Sequence, residues 1–498
     1  MEIQITYSIL FTFLCFLFMI HRLSSSSKKS LKTLPPGPWK LPLIGNLHQI
    51  GSLPHRSLRD LANKYGPLMH LQLGQMPHVI VSSPEIAKEV MKTHDVIFSN
   101  RPKIVASETL AYNSTDIAFS PYGNYWRQLR KICTLELLSA KRVREFRRIR
   151  EEEVSGLVKH ISEHEVGSLM NLTKKIYPLT NSIVARAAFG RKTRNVEEIL
   201  STMAYVVQLA SGLSISDLFP SLEFLRVIGG TKAKAEKVRK DVDGALNNII
   251  IDHLEKNDGH MEEVDEDLVD VLLKIQKEND LEIPLTLDNI KAVVLDLFIG
   301  GTDSAATTVV WAMSEMIRAP KVMKKAQEEV RSVYRNKGCV DESELHQLEY
   351  VTAVIRETLR LHPPAALLVP RENSEICEIN GYVIPLKTKV IINAWAIGRH
   401  PQYWNEPEKF QPERFINSSV DYKGTNFEFI PFGAGRRICP GISFATPVLE
   451  LILANLLYHF DWKLPNGEKN EELDMTETFG AAVRRKNDLL LVPIPYCT

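Results

Sequence analysis

One stretch near the carboxyl end of the chain combines a cysteine with glycines, arginines and an aromatic residue at fixed spacing. Residues 427–441 read FEFIPFGAGRRICPG and fit the pattern F-x-x-G-x-R-x-C-x-G at Phe432, Gly435, Arg437, Cys439 and Gly441. A single cysteine is more often an inert buried thiol than a ligand. Here each matched position has its own use, since glycines permit close backbone approach and a phenylalanine can keep the sulfur dry. The pattern favours a thiolate that ligates haem iron, with Arg437 near the propionates.

Two further groups of residues have spacings that bring side chains together. Glu357 and Arg360 form an i,i+3 pair on a predicted helix, and Arg414 in the segment PERF could join them. Trp126 and Arg130 lie one turn apart on another predicted helix. Each of these patterns alone is too common in proteins to indicate a function.

Composition excludes several classes of protein. The chain has 498 residues, of which 44% are hydrophobic and 24% charged, as in ordinary globular proteins. Lys and Arg number 61 against 60 Asp and Glu, a net charge of +1 that gives no basis for nucleic-acid binding. Six cysteines without a C-x-x-C pair indicate neither a disulfide scaffold nor a zinc site.

In order and spacing, these motifs resemble those of the cytochromes P-450 over essentially the whole chain. Phrases such as PPGPWKLPLIGNLHQI and YWRQLRKIC are similar to the plant microsomal branch that includes limonene, premnaspirodiene and tabersonine hydroxylases. The resemblance implies a mainly α fold with a small β-rich lobe and a haem b cofactor whose iron is held by Cys439. It also implies that Trp126, Arg130 and Arg371 contact the haem propionates, and that Glu357, Arg360 and Arg414 form a structural lock.

The central helix departs from the family pattern at one position. The family usually reads [A/G]-G-x-[D/E]-T-[T/S], whereas this chain reads Gly300-Gly301-Thr302-Asp303-Ser304. The resemblance implies that Asp303 and Ser304 deliver protons to dioxygen, with serine in place of threonine. Serine has the same hydrogen-bonding capacity but lacks the methyl group that restricts χ1. Water or Thr307, one turn on, is the alternative proton route.

Position in the family also assigns a substrate pocket. The segment near residues 107–117 and a set of mainly apolar residues are expected to line it: Phe298, Gly301, Ala365, Ala366, Leu367, Val369 and Phe479. Without a convergent charge, such a pocket orients its ligand by shape, which favours terpenoids.

The amino-terminal residues indicate a membrane anchor. Residues 3–20 are apolar and uncharged, and basic residues follow them, which predicts a single-pass helix with the remainder of the chain in the cytosol. A cleaved signal peptide fits less well, because no basic residue precedes the apolar run and no small-x-small site follows it. We therefore predict an anchor and basic flank at 1–33 in the endoplasmic reticulum membrane, a proline-rich hinge at 34–40 and a cytosolic catalytic domain at 41–498.

Apolar periodicity predicts the elements that position these residues. Strand pairs are predicted at 66–81 and 381–392, and a long buried helix with an irregularity at Gly300-Gly301 is predicted at Leu287–Ile317. The charge run at 141–153 is predicted to be a solvated helix face. Further helices are predicted at Glu85–Thr93, Tyr122–Leu138, Arg142–Glu163, Asp241–Leu254, Asp265–Lys277 and Pro320–Tyr334.

Together these features predict a haem-thiolate monooxygenase that uses O2 to hydroxylate or oxidise a small lipophilic specialised metabolite. The chain has no G-x-G-x-x-G behind a strand and no flavin motif, so electrons are expected from an NADPH-dependent flavoprotein reductase. The alternatives are an alkaloid or flavonoid substrate, a haem-thiolate isomerase or dehydratase, and a non-enzymatic haem binder. NADPH consumption with reductase and a lipophilic substrate separates the last two from a monooxygenase.

Overall fold

The computed structural model describes residues 34–165, 167–190, 215–222, 231–257 and 266–496. The predicted anchor at 1–33 lies outside these residues. Helices dominate the described chain, and strands form a smaller part, as the sequence predicts. The α-helices are Pro54–Tyr65, Pro84–Lys88, Val105–Thr109, Asn124–Ile132, Ala140–Glu145, Arg147–Ser162, Thr173–Phe189, Ile215–Leu218, Thr231–Asn257, Leu268–Glu278, Leu287–Arg318, Pro320–Tyr334, Glu349–Leu361, Ala394–Ile397 and Ile442–His459.

The helix Leu287–Arg318, called the central helix below, begins at a capping box between Thr286 and Asn289 and is buried along most of its length. Thr173–Phe189, a helix that the periodicity analysis missed, packs along it. The central helix is not interrupted at Gly300 and Gly301, so the predicted irregularity is wrong. A Cβ on Gly301 would lie 3.0 Å from a methyl group of Val184, so the glycine instead permits close helix packing.

Four small sheets make up the β part of the described chain. The largest has the order β1-β2-β7-β4, formed by Leu68–Leu73, Met76–Val81, Lys389–Ile392 and Arg371–Glu372. The predicted pair at 66–81 is confirmed as antiparallel β1 and β2. The residues at 381–392 instead separate into β6, Tyr382–Ile384, which pairs with β5, Cys377–Ile379, and β7, which pairs parallel with β2.

The remaining strands lie in two sheets. β3 (Met170–Asn171) and β8 (Phe460–Lys463) flank β11 (Leu490–Pro495), and β9 (Glu477–Thr478) pairs with β10 (Arg484–Arg485). β10 contacts the central helix, so this carboxyl-terminal segment lies against the core of the fold.

The charge run at 141–153 is only partly a solvated face. Arg147 pairs with Glu151 and Arg148 with Glu152, as predicted for i,i+4 neighbours. Arg150, however, is 1% exposed, and its Nε donates to Glu342 at 2.8 Å. The run also breaks at Phe146, whose ring is buried and lies 6.4 Å from that of Phe444. Burial of this aromatic residue divides the single helix that the sequence predicted.

Residues 34–40 lie against the body of the protein. The Pro36 carbonyl accepts a hydrogen bond from the His70 amide at 2.8 Å, and the Asn46 side chain donates to the carbonyls of Pro38 and Trp39. Pro35 and Pro38 are buried, whereas Trp39 is exposed. Hydrogen bonds to β1 and to Asn46 thus hold the proline-rich segment against the body of the protein.

Two described helices, Leu287–Arg318 and Ile442–His459, are long and apolar enough to cross a membrane by length and composition. Both are largely buried in the fold. Their hydropathy is that of core helices.

Candidate active site

A cavity of about 490 Å³ lies between the central helix and the loop that carries Cys439. Its size is within the range of small-molecule and cofactor sites. The segments 101–119 and 364–371, the helix Asn124–Ile132 and residues 479–482 complete its wall. The cysteine motif, the acid–hydroxyl pair and most of the predicted pocket residues therefore face one space.

Backbone geometry forces the shape of the cysteine loop. Gly435 has φ +69°, and a Cβ there would lie 2.1 Å from the Met91 carbonyl oxygen and 2.8 Å from Oδ1 of Asp95, so only glycine fits. The Cys439 amide donates to the Phe432 carbonyl at 2.9 Å. This bond closes the loop behind the sulfur, and the Phe432 ring lies at the cavity wall.

The Cys439 thiol is enclosed by the loop and the cavity. Burial raises its pKa, while the backbone amide of Gly441 and the charge of Arg130 act in the opposite direction. Because a metal ligand must be the thiolate, iron binding at this sulfur has to release the thiol proton. The amide of Gly441 and the charge of Arg130 are the described groups that stabilise the resulting anion.

Two of the predicted propionate residues are held by backbone carbonyls. Arg371 donates to the Ala434 carbonyl at 2.9 Å and pairs with Asp95 at 3.2 Å. Arg437 donates to the carbonyls of Ser99 at 2.8 Å and Ile117 at 3.3 Å. Burial, together with the nearby charge of Arg371, lowers the pKa of Arg437 to about 9.

Trp126 and Arg130 both face the cavity from one helix. The Arg437 guanidinium lies over the Trp126 indole, 4.2 Å from the centroid of the ring. The indole N–H of Trp126 donates to the Ile117 carbonyl at 3.1 Å. Arg130 makes no ion pair with any residue in the described ranges. Its charge is the least compensated of this group.

Arg101 is a cavity residue that the sequence reasoning missed. Its guanidinium donates to the carbonyls of Ala118 at 2.9 Å and Val369 at 2.6 Å. Burial and the charges of Arg437 and Arg371 lower its pKa well below the usual value. Nothing in the local sequence Asn100-Arg101-Pro102 indicates this role, because the contacts come from distant segments.

Four guanidiniums thus line one region of the cavity, those of Arg101, Arg130, Arg371 and Arg437. Among the described residues, the nearby Asp95 forms ion pairs only with Arg371 and Arg436. Like charges this close are costly unless an anion joins them. A planar dianionic cofactor fits this region, since its carboxylates would neutralise the excess charge while its metal meets Cys439. The residues present therefore fit haem.

Asp303 and Ser304 lie on the cavity side of the central helix. The Ser304 hydroxyl donates to the Gly300 carbonyl at 2.6 Å, one turn back. Burial raises the pKa of Asp303, and the charge of Arg484 opposes this change. Thr307, the alternative hydroxyl, is fully buried and bonded to the Tyr177 hydroxyl at 3.0 Å, and Thr308 rather than Thr307 faces the cavity.

The structure places most of the predicted pocket residues in the cavity wall, but not Phe298 or Ser107. Phe298 is fully buried elsewhere, with its ring 5.5 Å from that of Phe189, because its position on the central helix faces the neighbouring helix. Ser107 also lies outside the lining, and its hydroxyl bonds Ile104. The residues that line the cavity are Gly301, Ala365, Ala366, Leu367, Val369 and Phe479.

The predicted lock lies outside the cavity, with Glu357 and Arg360 fully buried and Arg414 partly exposed. Glu357 accepts hydrogen bonds from Arg360 at 2.7 and 2.8 Å, from Arg414 at 2.9 Å and from the Gln411 amide at 2.8 Å. Arg360 also donates to the carbonyls of Gly398 and Pro407, both at 2.7 Å. One carboxylate thereby joins the helix Glu349–Leu361 to the chain that leads into the cysteine loop.

Comparison with known proteins decides the family. The model of the family "Cytochrome P450" matches residues 35–492 of this chain. The chain belongs to the cytochrome P450 family. It is therefore a monooxygenase with a haem cofactor that uses O2 and a small-molecule substrate.

Several curated plant cytochromes P450 are similar over nearly their full length. Cytochrome P450 71D10 of Glycine max is 59% identical over 98% of this chain and 96% of its own. Tabersonine 16-hydroxylase 2 of Catharanthus roseus is 52% identical over 99% of this chain and 98% of its own. Premnaspirodiene oxygenase of Hyoscyamus muticus is 50% identical over 98% of this chain and 97% of its own. The plant branch predicted from the sequence is confirmed.

A solved zebrafish cytochrome P450 with progesterone shares the fold. Its TM-score is 0.74 at 23% identity, covering 89% of this chain and 99% of that one. The mainly α fold with a small β part is confirmed.

Proposed function

We propose that this cytochrome P450 hydroxylates a terpenoid, with electrons from NADPH through a flavoprotein reductase and an anchor in the endoplasmic reticulum membrane. The observation that supports the substrate class is the apolar wall opposite Cys439. Its side chains come from the central helix, from helix Thr173–Phe189 and from three further segments: Ile104, Leu110, Val184, Leu295, Ile299, Leu367, Val369 and Phe479. Such a wall binds a hydrocarbon by excluding water from it.

Charged residues also line the cavity, so the sequence-based description of an almost wholly apolar pocket is incomplete. Arg101, Arg371 and Arg437 are held by backbone carbonyls, and Asp296 accepts two backbone amides. The three arginines lie in the region that fits the haem propionates, and Asp296 is bonded to backbone amides. With haem bound, none of these four groups is left as a dedicated partner for a charged substrate, which favours an uncharged ligand oriented by shape.

The protein groups have separate tasks in this reaction. Haem, when bound through Cys439, supplies the oxidising chemistry, and its thiolate ligand donates electron density to the iron. Burial raises the pKa of the Asp303 carboxyl group, which favours its protonated form, and Ser304 presents a hydroxyl one residue further along the same wall. Proton donation from positioned groups of this kind contributes about 10²–10⁴-fold to a rate. The apolar wall holds the substrate and keeps water out.

Turnover of a substrate panel tests the substrate class. Microsomes containing this chain and a plant reductase are supplied with NADPH and with monoterpenes, sesquiterpenes, diterpenes, alkaloids and flavonoids. We expect hydroxylated products from terpene hydrocarbons, and no product when reductase is omitted. Turnover confined to alkaloids or flavonoids would overturn the terpenoid assignment, and product formation without reductase would overturn the electron source.

A further inference from the structure

Two buried carboxyl groups meet where the loop near residue 117 touches the central helix. Asp116 is fully buried, and Asp296 lies on the cavity wall. Asp296 Oδ2 accepts the backbone amides of Ile117 and Ala118, both at 2.9 Å, which follow Asp116 directly in the chain. Asp116 Oδ1 accepts the Phe119 amide at 3.1 Å, while no other group in the described part of the chain bonds its Oδ2, which has the Asp296 carboxyl group beside it.

Ionising both of two neighbouring buried carboxyl groups is unfavourable, because each negative charge repels the other. Burial and the neighbouring Asp296 raise the pKa of Asp116 well above its usual value, and burial raises the pKa of Asp296 to about 6. Asp296 accepts two backbone amides, so it is the better anion of the pair. This arrangement favours a carboxylic acid on Asp116 that donates to a carboxylate on Asp296.

Other ionisable groups face this pair from each neighbouring segment. Arg101 and Arg437 favour the ionised form of Asp116, whereas burial and Asp296 oppose it and are the larger effects. Tyr125 lies near Asp116, and Cys133 lies near Asp296. Burial, together with the nearby carboxyl groups, raises the pKa of both, so both stay protonated and uncharged at neutral pH.

The backbone that this pair holds carries the groups at the cofactor end of the cavity. The Ile117 carbonyl accepts Trp126 Nε1 and Arg437, and the Ala118 carbonyl accepts Arg101. The Ser120 carbonyl accepts a further bond from Arg437. A displacement of residues 116–120 would therefore move two guanidiniums and an indole together.

We propose that Asp116 and Asp296 share one proton and are positioning residues, which fix the 116–120 backbone and through it the cations that hold the haem propionates. Loss of the shared proton at alkaline pH creates two adjacent negative charges and separates the loop from the central helix. The proposal rests on haem lying in this cavity and not on the terpenoid assignment. Failure of that assignment leaves every readout below unchanged.

Haem retention against pH tests the proposal. The rate of haem transfer from the purified holoenzyme to apomyoglobin is measured from pH 7 to pH 10 for the parent, Asp116→Asn and Asp116→Ala, with the exposed Asp280→Asn as a matched control. We expect the rate of the parent and of the control to rise at least tenfold across this range. Asp116→Asn retains a donor to Asp296 but cannot ionise, so its rate stays flat. Asp116→Ala loses haem rapidly at every pH.

Infrared spectroscopy at pH 7 provides a second readout that needs no activity. The parent-minus-Asp116→Asn spectrum is expected to show a protonated carboxyl C=O band that shifts in D2O. A parent rate that does not change with pH, an Asp116→Asn variant as leaky as Asp116→Ala, or absence of the carboxyl band would each overturn the proposal.

Discussion

The Ser304 hydroxyl has a local partner that explains how serine can occupy a position where the family usually has threonine. Its bond of 2.6 Å to the Gly300 carbonyl fixes the hydroxyl on the cavity side, a restriction that the threonine methyl would otherwise help to impose. Asp303 stands beside it with a raised pKa. The pair therefore retains a proton source and a hydroxyl despite the substitution.

We expect Ser304→Ala to keep haem and substrate binding but to uncouple the reaction. NADPH consumption continues while more peroxide and less oxygenated product form, because the hydroxyl that passes protons is missing. The ratio of product to NADPH should fall by tenfold or more, and Asp303→Asn should lower it as well. The control Ser304→Thr should couple at least as well as the parent. Unchanged coupling in Ser304→Ala would show that protons arrive by another route, for which Thr308 is the nearest cavity-facing hydroxyl.

Glu450 provides a pH-dependent effect outside the cavity. Burial raises its pKa from 4.5 to about 7, with partial relief from the Thr352 hydroxyl, which donates to Glu450 at 3.1 Å. The native state therefore binds more protons than the unfolded state between pH 4.5 and 7, so stability falls as pH rises through this window. We expect Glu450→Gln to stabilise the protein by about 1–3 kcal/mol at pH 8 and to be nearly neutral at pH 5.

Urea unfolding curves at the two pH values measure this difference, with the exposed Glu468→Gln as the control. The same stability change for Glu450→Gln at both pH values would contradict the assigned ionisation.

Among the secondary-structure elements, the helix Glu349–Leu361 is joined through Glu357 and Arg360 to the chain that leads into the cysteine loop. Glu357 and Arg360 are both completely buried, and three backbone carbonyls accept from the Arg360 guanidinium. A buried ion pair is worth little net energy when complete, but removal of one partner leaves uncompensated charge. The lock thus specifies how these elements meet.

Glu357→Ala is therefore expected to destabilise the fold by about 3–5 kcal/mol, because it leaves Arg360 and Arg414 without their carboxylate partner. The measurements are the yield of folded protein and its haem content. Glu413→Ala provides a control, because this partly exposed carboxylate on the adjacent turn pairs with Lys325 at the surface. A stable, haem-replete Glu357→Ala protein would show that these residues do not lock the fold.

The elements that sequence predicted best are those whose contacts are local. Alternation of apolar and polar residues predicted β1 and β2, and apolar periodicity predicted the central helix. Both patterns depend only on residues close together in the chain. Helix Thr173–Phe189 was missed, since it contains Pro178 and is buried too broadly to show a clear period. Asp296 and Arg101 were missed for a different reason, as their partners are backbone groups from distant segments. Such contacts leave no pattern in one sequence.

For the whole molecule, the described residues form one body around a cavity, and the predicted anchor precedes it. The segment 34–40 is fastened to β1, so a helix at its amino end would hold the body at a fixed orientation to a membrane. Exposed Trp39 and Leu43 lie next to that attachment and add apolar surface there.

Removal of residues 1–33 is expected to release much of the protein from microsomes while activity with soluble reductase persists. Residual binding should come from apolar surface such as that at Trp39 and Leu43. Fractionation of microsomes, followed by turnover of the soluble fraction, measures both effects. A folded, haem-loaded but wholly inactive truncation would mean that these residues do more than anchor the enzyme.

The reduced carbonyl spectrum of the parent and of Cys439→Ser tests most directly whether Cys439 is the haem ligand. Cys377→Ser is the matched control, because Cys377 is also a buried free thiol but lies in β5, outside the cavity lining. We expect the red-shifted Soret band typical of thiolate ligation in the parent and in Cys377→Ser. Cys439→Ser should lose that band, because a serine hydroxyl is a much weaker iron ligand than a thiolate. Retention of the band in Cys439→Ser would contradict the assignment of Cys439 as the iron ligand.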